Sequence, residues 1–215
     1  MDSKTLFSLA EADDAEGLAA ALKHAPETYK IRNTAGETIY AFSVFRGRTK
    51  CVELLKTRGG LSLQDAALAG DLARLESLLD AAPWAIDMLS PDGWTAMHLA
   101  AFFGNDAIIN ALLDRGADAS VMGRAFEQNL AMHAAAAGDR IGKAAFRRLV
   151  DATGVDTPQK QGYTALMIAA SNNFADAIDV LLAAGADRTI KLADGKTAAD
   201  IAKDRGHTEL EKRLR

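Results

Sequence analysis

The residues able to do chemistry are spread thinly along this chain, and their spacing decides which kinds of site are possible. The four histidines, His24, His98, His133 and His207, lie far apart, whereas a zinc site on a helix needs paired ligands at a spacing such as His-x3-His. Cys51 is the single cysteine, so an internal disulfide is excluded. The sequence therefore predicts no metal site.

Catalytic motifs are not found in the sequence either. It contains no Gly-x-Ser-x-Gly elbow, no phosphate-cradling glycine loop and no dinucleotide fingerprint. The neighbouring carboxylates of Asp13 and Asp14 have the composition of an acid-base pair, but a solvated turn accounts for them more simply. We therefore expect a protein that is not an enzyme, with no catalytic residues and no cofactor.

The elements that would have to position any site are repeated. The residue that closes the first helix of each repeat returns at intervals of 33, 23, 34, 34, 35 and 33, as Asp14, Gly47, Gly70, Gly104, Gly138, Asn173 and Gly206. Glycine and asparagine tolerate the left-handed backbone that ends a helix, so their return has a steric cause. The sequence predicts seven units, the third shortened by a tight turn at Gly59 and Gly60.

A period near 33 residues with a Thr-x-x-His-x-Ala motif, clearest from Thr95 to Ala100, resembles the ankyrin repeat. The resemblance implies an all-α fold, an ankyrin-repeat solenoid of stacked helix-turn-helix units with short hairpin loops. We expect a single domain over residues 1–215 with capping first and last units. The expected units cover about residues 3–31, 32–60, 61–88, 89–121, 122–156, 157–190 and 191–215.

The resemblance also assigns the histidine of the motif to the fold. In ankyrin proteins this residue hydrogen-bonds the backbone of the neighbouring loop, so His98 is expected to be structural. The fifth unit departs from the pattern, because Asn129 falls in the Thr column and Met132 in the His column. His133 is then expected one place beyond the family position.

Composition limits the choice of partner. The chain has 25 basic and 29 acidic residues, a net charge of -4, so it has no general attraction for polyanions. It shows no signal peptide and no apolar run near 20 residues. We expect a soluble cytoplasmic protein, most simply a monomer, with neither nucleic acid nor a membrane as its partner.

Binding residues are expected where the repeats differ from one another. In the ankyrin family the recognition face is usually concave, built from loop tips and exposed parts of the first helices, and here those variable columns hold aromatic residues. Trp, Tyr and Arg dominate binding hot spots. The predicted partner-binding set is Phe45, Arg46, Trp94, Phe102, Phe103, Arg124, Phe126 and Tyr163. The sequence thus favours a protein-protein interaction module that binds a protein partner on its concave face, as an adaptor, an inhibitor or a stabilising companion.

Two other interpretations of the aromatic residues remain open at this point. Phe102 and its neighbours could instead fill space beneath the irregular fifth unit or beside the shortened third unit. Alternatively, Trp94, Phe102 and Phe103 could line a pocket of a small-ligand carrier for an apolar or aromatic molecule, although an open repeat surface rarely encloses such a ligand.

Overall fold

The computed structural model describes residues 2–24, 30–124, 129–138 and 140–215, and fourteen α-helices lie within these ranges. The first six are α1 (Ser3–Glu11), α2 (Ala15–His24), α3 (Ile39–Phe45), α4 (Thr49–Arg58), α5 (Leu63–Ala69) and α6 (Leu72–Ala81). A short 3-10 helix, Pro83–Ala85, follows. The other eight are α7 (Ala96–Phe103), α8 (Asp106–Asp114), α9 (Ala131–Gly138), α10 (Lys143–Thr153), α11 (Ala165–Asn172), α12 (Ala175–Ala183), α13 (Ala198–Asp204) and α14 (Thr208–Leu214). In the described ranges the β pairing is limited to an isolated bridge between Arg32 and Thr38. The predicted all-α helical-repeat fold is confirmed.

The helices pack as two compact units, Met1–Ala96 and Met97–Arg215. In the first unit the odd-numbered helices stack, α1 on α3 and α3 on α5, while α2 stacks on α4. In the second unit α9 packs on α11 and α11 on α13, while α8 packs on α10 and α10 on α12. Helices α1–α5 and α8–α13 therefore alternate between two layers within their units, as repeated helix pairs require. The single domain and the repeat boundaries stay predictions.

The core contains one buried pair of side chains from each second helix. These residues lie four apart, so they share one helix face, and each is buried: Leu18 and Leu22, Cys51 and Leu55, Leu75 and Leu79, Ile108 and Leu112, Phe146 and Val150, Ala177 and Leu181, Leu210 and Leu214. Cys51 is fully buried in its pair, and burial raises the pKa of its thiol to about 11. It is a packing residue.

The helix terminators follow the predicted column with two corrections. The left-handed residue after α1 is Asp13, with φ of 54°, in place of Asp14. Asp13 also uses its carboxylate to accept the N–H of Cys51 at 2.9 Å, at the start of α4. Gly138 is the last residue of α9 and has no positive φ. The carbonyl oxygen of Phe102 lies next to the Cα of Gly138, and a β-carbon at this residue would collide with that oxygen.

The irregular repeats also have visible causes. Only residues 59–62 separate α4 from α5, and Gly59 and Gly60 both have positive φ, 75° and 80°. The predicted short connection is therefore present, although residues 59–62 form neither a turn nor a bend. Helix α5 is then started by a capping box between Ser62 and Asp65. In the fifth repeat α10 has 11 residues against 9 in α8 and in α12, so the second helix of this repeat is the longer one.

Candidate functional site

Tight hairpin turns position the residues that precede the first helices. In four of them a glycine with φ between 83° and 92° turns the chain, and one backbone N–H bonds the carbonyl oxygen four residues on. That acceptor is the residue before the Thr column: Glu37, Trp94, Tyr163 and Lys196. Equivalent backbone geometry thus presents different side chains, which is the arrangement that a recognition surface needs.

Buried histidines join these turns to the helices. His98 Nε2 lies 2.9 Å from the carbonyl oxygen of Asn129, so this nitrogen must carry the proton and donate it. His133 uses both ring nitrogens, with Nδ1 accepting the N–H of Leu130 at 3.1 Å and Nε2 donating to the Thr157 carbonyl at 3.0 Å. The structural role expected for His98 is confirmed.

The position of His133 corrects the expected register of the fifth repeat. The expectation put Asn129 in the Thr column, but α9 begins at Ala131 and His133 bonds Leu130. Leu130 therefore fills the position where other repeats have Thr, and His133 is in the family position after all. Leu130 has no hydroxyl, so the sequence comparison aligned the nearest polar residue, Asn129, with the Thr column. This placed the fifth repeat one residue out of register.

In the first unit Phe45 and Arg46 lie at the end of α3. The Phe45 side chain is exposed, at 39%. The Arg46 guanidinium lies 3.8 Å from the centre of the Phe42 ring and 3.3 Å from a carboxylate oxygen of Glu37. A cation held over an aromatic face and against a carboxylate has a preferred direction, so these two contacts orient the Arg46 side chain.

Trp94 lies away from solvent. It is 8% exposed, and its backbone N–H and carbonyl are both bonded to the Ser90 hydroxyl, at 3.1 and 3.0 Å. A buried indole gives a partner little area to contact, so Trp94 contributes to the packing of this unit.

Phe102 and Phe103 form an edge-to-face pair at the end of α7. Their ring centres are 5.2 Å apart with planes at 69°, and the Arg140 guanidinium lies 5.7 Å from the Phe103 ring centre. Phe102 is 36% exposed while Phe103 is half-buried. These rings pack on each other, which matches the alternative of local packing, while one edge of Phe102 still reaches solvent.

The remaining predicted residues also differ in exposure. Arg124 is exposed and Tyr163 is half-buried. Phe126 lies outside the described residues.

Tyr163 borders an open groove of about 510 Å³ in the second unit. Two hairpin turns, α11 and α13 form its walls. We call it the Tyr163 groove, and it is lined by Gln159, Gln161, Tyr163, Ile168, Ser171, Asn172, Leu192, Asp194, Lys196, Ile201, Asp204 and Arg205. Amide, hydroxyl, charged and apolar side chains thus all contribute to its lining.

Lys196 is one of the charged residues that line this groove. Its ammonium nitrogen lies 2.9 Å from Asp204 and 3.7 Å from Asp194, and the hydrogen bond to Asp204 raises the pKa of Lys196 above its ordinary value. Sequence reasoning identified only Tyr163 here, although Lys196 stands in the same hairpin column. Selection by aromatic character passed over the polar members of that column.

The second helices of this unit carry a different pattern of charge. Arg148 of α10 pairs with Asp114 of α8 at 2.6 Å, Lys143 of α10 pairs with Asp176 of α12 at 3.0 Å, and Arg213 of α14 pairs with Asp179 of α12. The ion pairs join one repeat to the next, so these side chains already have partners within the protein.

Across residues 2–24, 30–124, 129–138 and 140–215, no group of three or more His, Cys, Asp or Glu side chains is arranged to hold a metal ion. Within the same ranges, no helix has the length and apolar character needed to span a bilayer.

Comparison with known proteins agrees with this architecture. The family described as ankyrin repeats (3 copies) matches residues 6–123, 63–157, 101–191 and 131–214 in overlapping segments. The chain is also 36% identical over 59 residues to the NAD-capped RNA hydrolase NUDT12 of Macaca fascicularis, of Pongo abelii and of Homo sapiens. That segment is 27% of this chain and spans only 13% of each of those relatives. Because the family match extends over nearly the whole chain and the helix pairs agree with it, the chain belongs to the ankyrin-repeat family.

Proposed function

We propose that the chain is a protein-binding module and that its partner binds in the Tyr163 groove. Ankyrin repeats generally mediate protein-protein interactions, and this groove is made from the elements that the family uses for recognition, hairpin turns and first helices. The observation that carries the proposal is the shape and lining of the groove, about 510 Å³ open to solvent between two repeats.

The lining suits a segment of polypeptide. Tyr163, Ile168, Leu192 and Ile201 offer apolar contact, while Gln159, Gln161, Ser171 and Asn172 offer amide and hydroxyl groups. Side-chain amides both donate and accept hydrogen bonds, so they match the alternating groups of a peptide backbone. A ring such as Tyr163 adds a large contact area with few rotatable bonds.

The groove does not favour a small apolar ligand. Drug-sized ligands need a cavity that buries most of their surface, whereas this groove is open, and Trp94 of the predicted carrier pocket is buried at 8% exposure. We therefore keep one function, with the chain acting as an adaptor, an inhibitor or a stabilising companion.

Action by binding without catalysis agrees with the state of the titratable groups. His98 and His133 are buried and donate to backbone carbonyls, which leaves neither of them to exchange protons with a substrate. The hydrolase activity in the names of the partial relatives is theirs, and the shared segment is 13% of their length.

The test is quantitative capture from extracts of cells that produce the protein. We expect a Tyr163→Ala/Arg205→Glu variant to lose the protein captured by the wild type, because the change removes the ring and reverses a charge in the groove. A Lys212→Glu variant is the matched control, since Lys212 is exposed on α14, outside the groove lining, and pairs with Glu209 at 2.9 Å. Equal capture by all three proteins, with unchanged melting temperatures, would rule the groove out.

A further inference from the structure

The charged residues that line the Tyr163 groove differ in whether they are already bonded. The ammonium of Lys196 pairs with Asp204 at 2.9 Å and with Asp194 at 3.7 Å, and Asp194 also accepts the backbone N–H of Lys196 at 3.1 Å. In the part of the chain that the structure describes, the exposed side chain of Arg205 makes no ion pair and no hydrogen bond. Its guanidinium is therefore available to a partner.

Helix α13 places Arg205 in the groove. Arg205 directly follows the last residue of this helix, and its backbone N–H bonds the Ile201 carbonyl at 3.1 Å. The other walls contribute Tyr163, Ile168 and Leu192, which are half-buried and so keep part of their apolar surface open. A bound segment thus meets apolar side chains and a guanidinium in the same groove.

The carboxylates on the walls of the groove are all bonded within the protein. The walls are residues 159–163, α11 and residues 192–205, and their acidic residues are Asp194, Asp200 and Asp204. Asp200 accepts the hydroxyl of Thr197 at 2.8 Å in the capping box of α13, and the other two bind Lys196. A partner therefore finds no unbonded carboxylate on these walls.

Basic residues are in excess on the same walls, where they are Lys160, Lys196, Lys203 and Arg205. The adjoining residues 154–158 and 186–191 contain two acidic and two basic residues, so they leave this excess unchanged. A surface with surplus positive charge attracts an anionic segment and disfavours a basic one.

We propose that the occupant of the Tyr163 groove is an acidic segment of a protein partner, a step that rests on the function proposed above. An Asp or Glu side chain of the segment binds Arg205, and an apolar side chain of the same segment contacts Ile168 and Leu192. A guanidinium donates two parallel hydrogen bonds to a carboxylate, which fixes the orientation of the bound group. A phosphate carries about two charges and is repelled more strongly than a carboxylate by Asp194 and Asp204 of the lining.

The probe is a phage-displayed library of random peptides, selected separately on the wild type, on Arg205→Glu and on Lys203→Glu. Lys203→Glu is the matched control, because Lys203 is exposed on α13 outside the groove lining and the charge change is the same. We expect the wild type and Lys203→Glu to enrich peptides with Asp or Glu at a fixed distance from an apolar residue. Arg205→Glu should instead enrich Lys or Arg at that position.

The affinity of one enriched peptide for purified variants completes the test. Arg205→Ala should weaken its binding about 10-fold, as the loss of a hydrogen bond to a charged group does, and Tyr163→Ala should weaken it as well. Melting temperatures should stay unchanged. The peptide with its acidic residue replaced by Lys should bind Arg205→Glu more tightly than it binds the wild type.

The outcomes separate this proposal from that of the groove. Peptides that need Tyr163 but have no preferred acidic position would overturn the acidic partner and leave the groove in place. Peptides that bind Tyr163→Ala as tightly as the wild type would overturn both. If Lys203→Glu lost the acidic preference as fully as Arg205→Glu, or if no peptide were enriched, the assignment to Arg205 would be wrong.

Discussion

His133 is buried with both ring nitrogens in hydrogen bonds, one to Leu130 and one to the Thr157 carbonyl. Burial lowers the pKa of this imidazole from the ordinary 6.5 to about 4. The folded protein therefore holds His133 neutral at pH values at which the unfolded chain protonates it. Its contribution to stability is fully present above about pH 6.5 and is lost as the pH falls towards 4.

This sign can be measured with a His133→Gln variant. Between pH 7 and pH 5 the free energy of unfolding of the wild type should fall more steeply than that of the variant, with a difference in slope of up to about 1.4 kcal/mol per pH unit. Urea titrations at several pH values give both slopes. Parallel curves would show that His133 titrates normally in the folded protein.

The two slopes, of the wild type and of the His133→Gln variant, have to be compared with each other, because another buried group changes the free energy of unfolding in the opposite direction. Burial raises the pKa of the Asp65 carboxyl, so the destabilising effect of its ionised form is relieved as the pH falls through the folded pKa. Asp65 is present in both proteins, and its effect cancels in the comparison.

Leu112 gives a second test at the residue scale. It is fully buried in α8, whereas the adjacent Leu113 is half-buried. Leu112→Ala should cost about 2 to 5 kcal/mol of the free energy of unfolding, and Leu113→Ala clearly less, because only the first change empties a closed core position. Denaturant unfolding of both variants provides the comparison. Equal losses would mean that the apolar stripe has been assigned to the wrong face.

At the scale of elements, the shortened third repeat brings two hairpin turns together within the first unit. The β-carbon position of Gly36 is 2.7 Å from the backbone nitrogen of Asp92 and 2.8 Å from the carbonyl carbon of Pro91. A repeat of full length would place its own hairpin between these two turns. Their direct contact therefore follows from the short connection over residues 59–62.

Gly36 and Gly195 make a matched pair for testing this contact. Their φ angles are 85° and 84°, but nothing lies within 4 Å of the β-carbon position of Gly195. Alanine at either site incurs roughly 1 to 2 kcal/mol from the left-handed backbone, and Gly36→Ala should lose about 1 to 3 kcal/mol more through the clash. Thermal and urea unfolding would show the difference. Equal destabilisation would argue against the hairpin contact.

For the whole molecule, the repeated apolar pairs and glycines in the sequence were enough to predict the fold class, because each repeat solves the same packing problem. Prediction failed where one repeat used different atoms for the same task. Leu130 replaces the capping hydroxyl, so only its bond to His133 reveals the register.

The candidate surfaces were harder to predict than the fold. Trp84 and Trp94 are the same type of residue, yet their side chains are 74% and 8% exposed. The difference depends on how each residue packs in three dimensions. Likewise, only Tyr163 of the groove was predicted, since its polar walls have no distinctive composition. The exposure of a side chain depends on which residues pack against it. At irregular repeats the repeat pattern of the sequence does not identify those residues.

The central claim is that the partner lies in the Tyr163 groove, and hydrogen-deuterium exchange with the captured partner tests it most directly. We expect backbone amide hydrogens to exchange more slowly in the complex at two hairpin turns, residues 159–163 and 192–196, and at the ends of α11 and α13. Exchange in α10 and α12 should stay the same, because those helices are joined by ion pairs on the other layer. Protection confined to α10 and α12, or no protection at residues 159–163 and 192–196, would contradict the account.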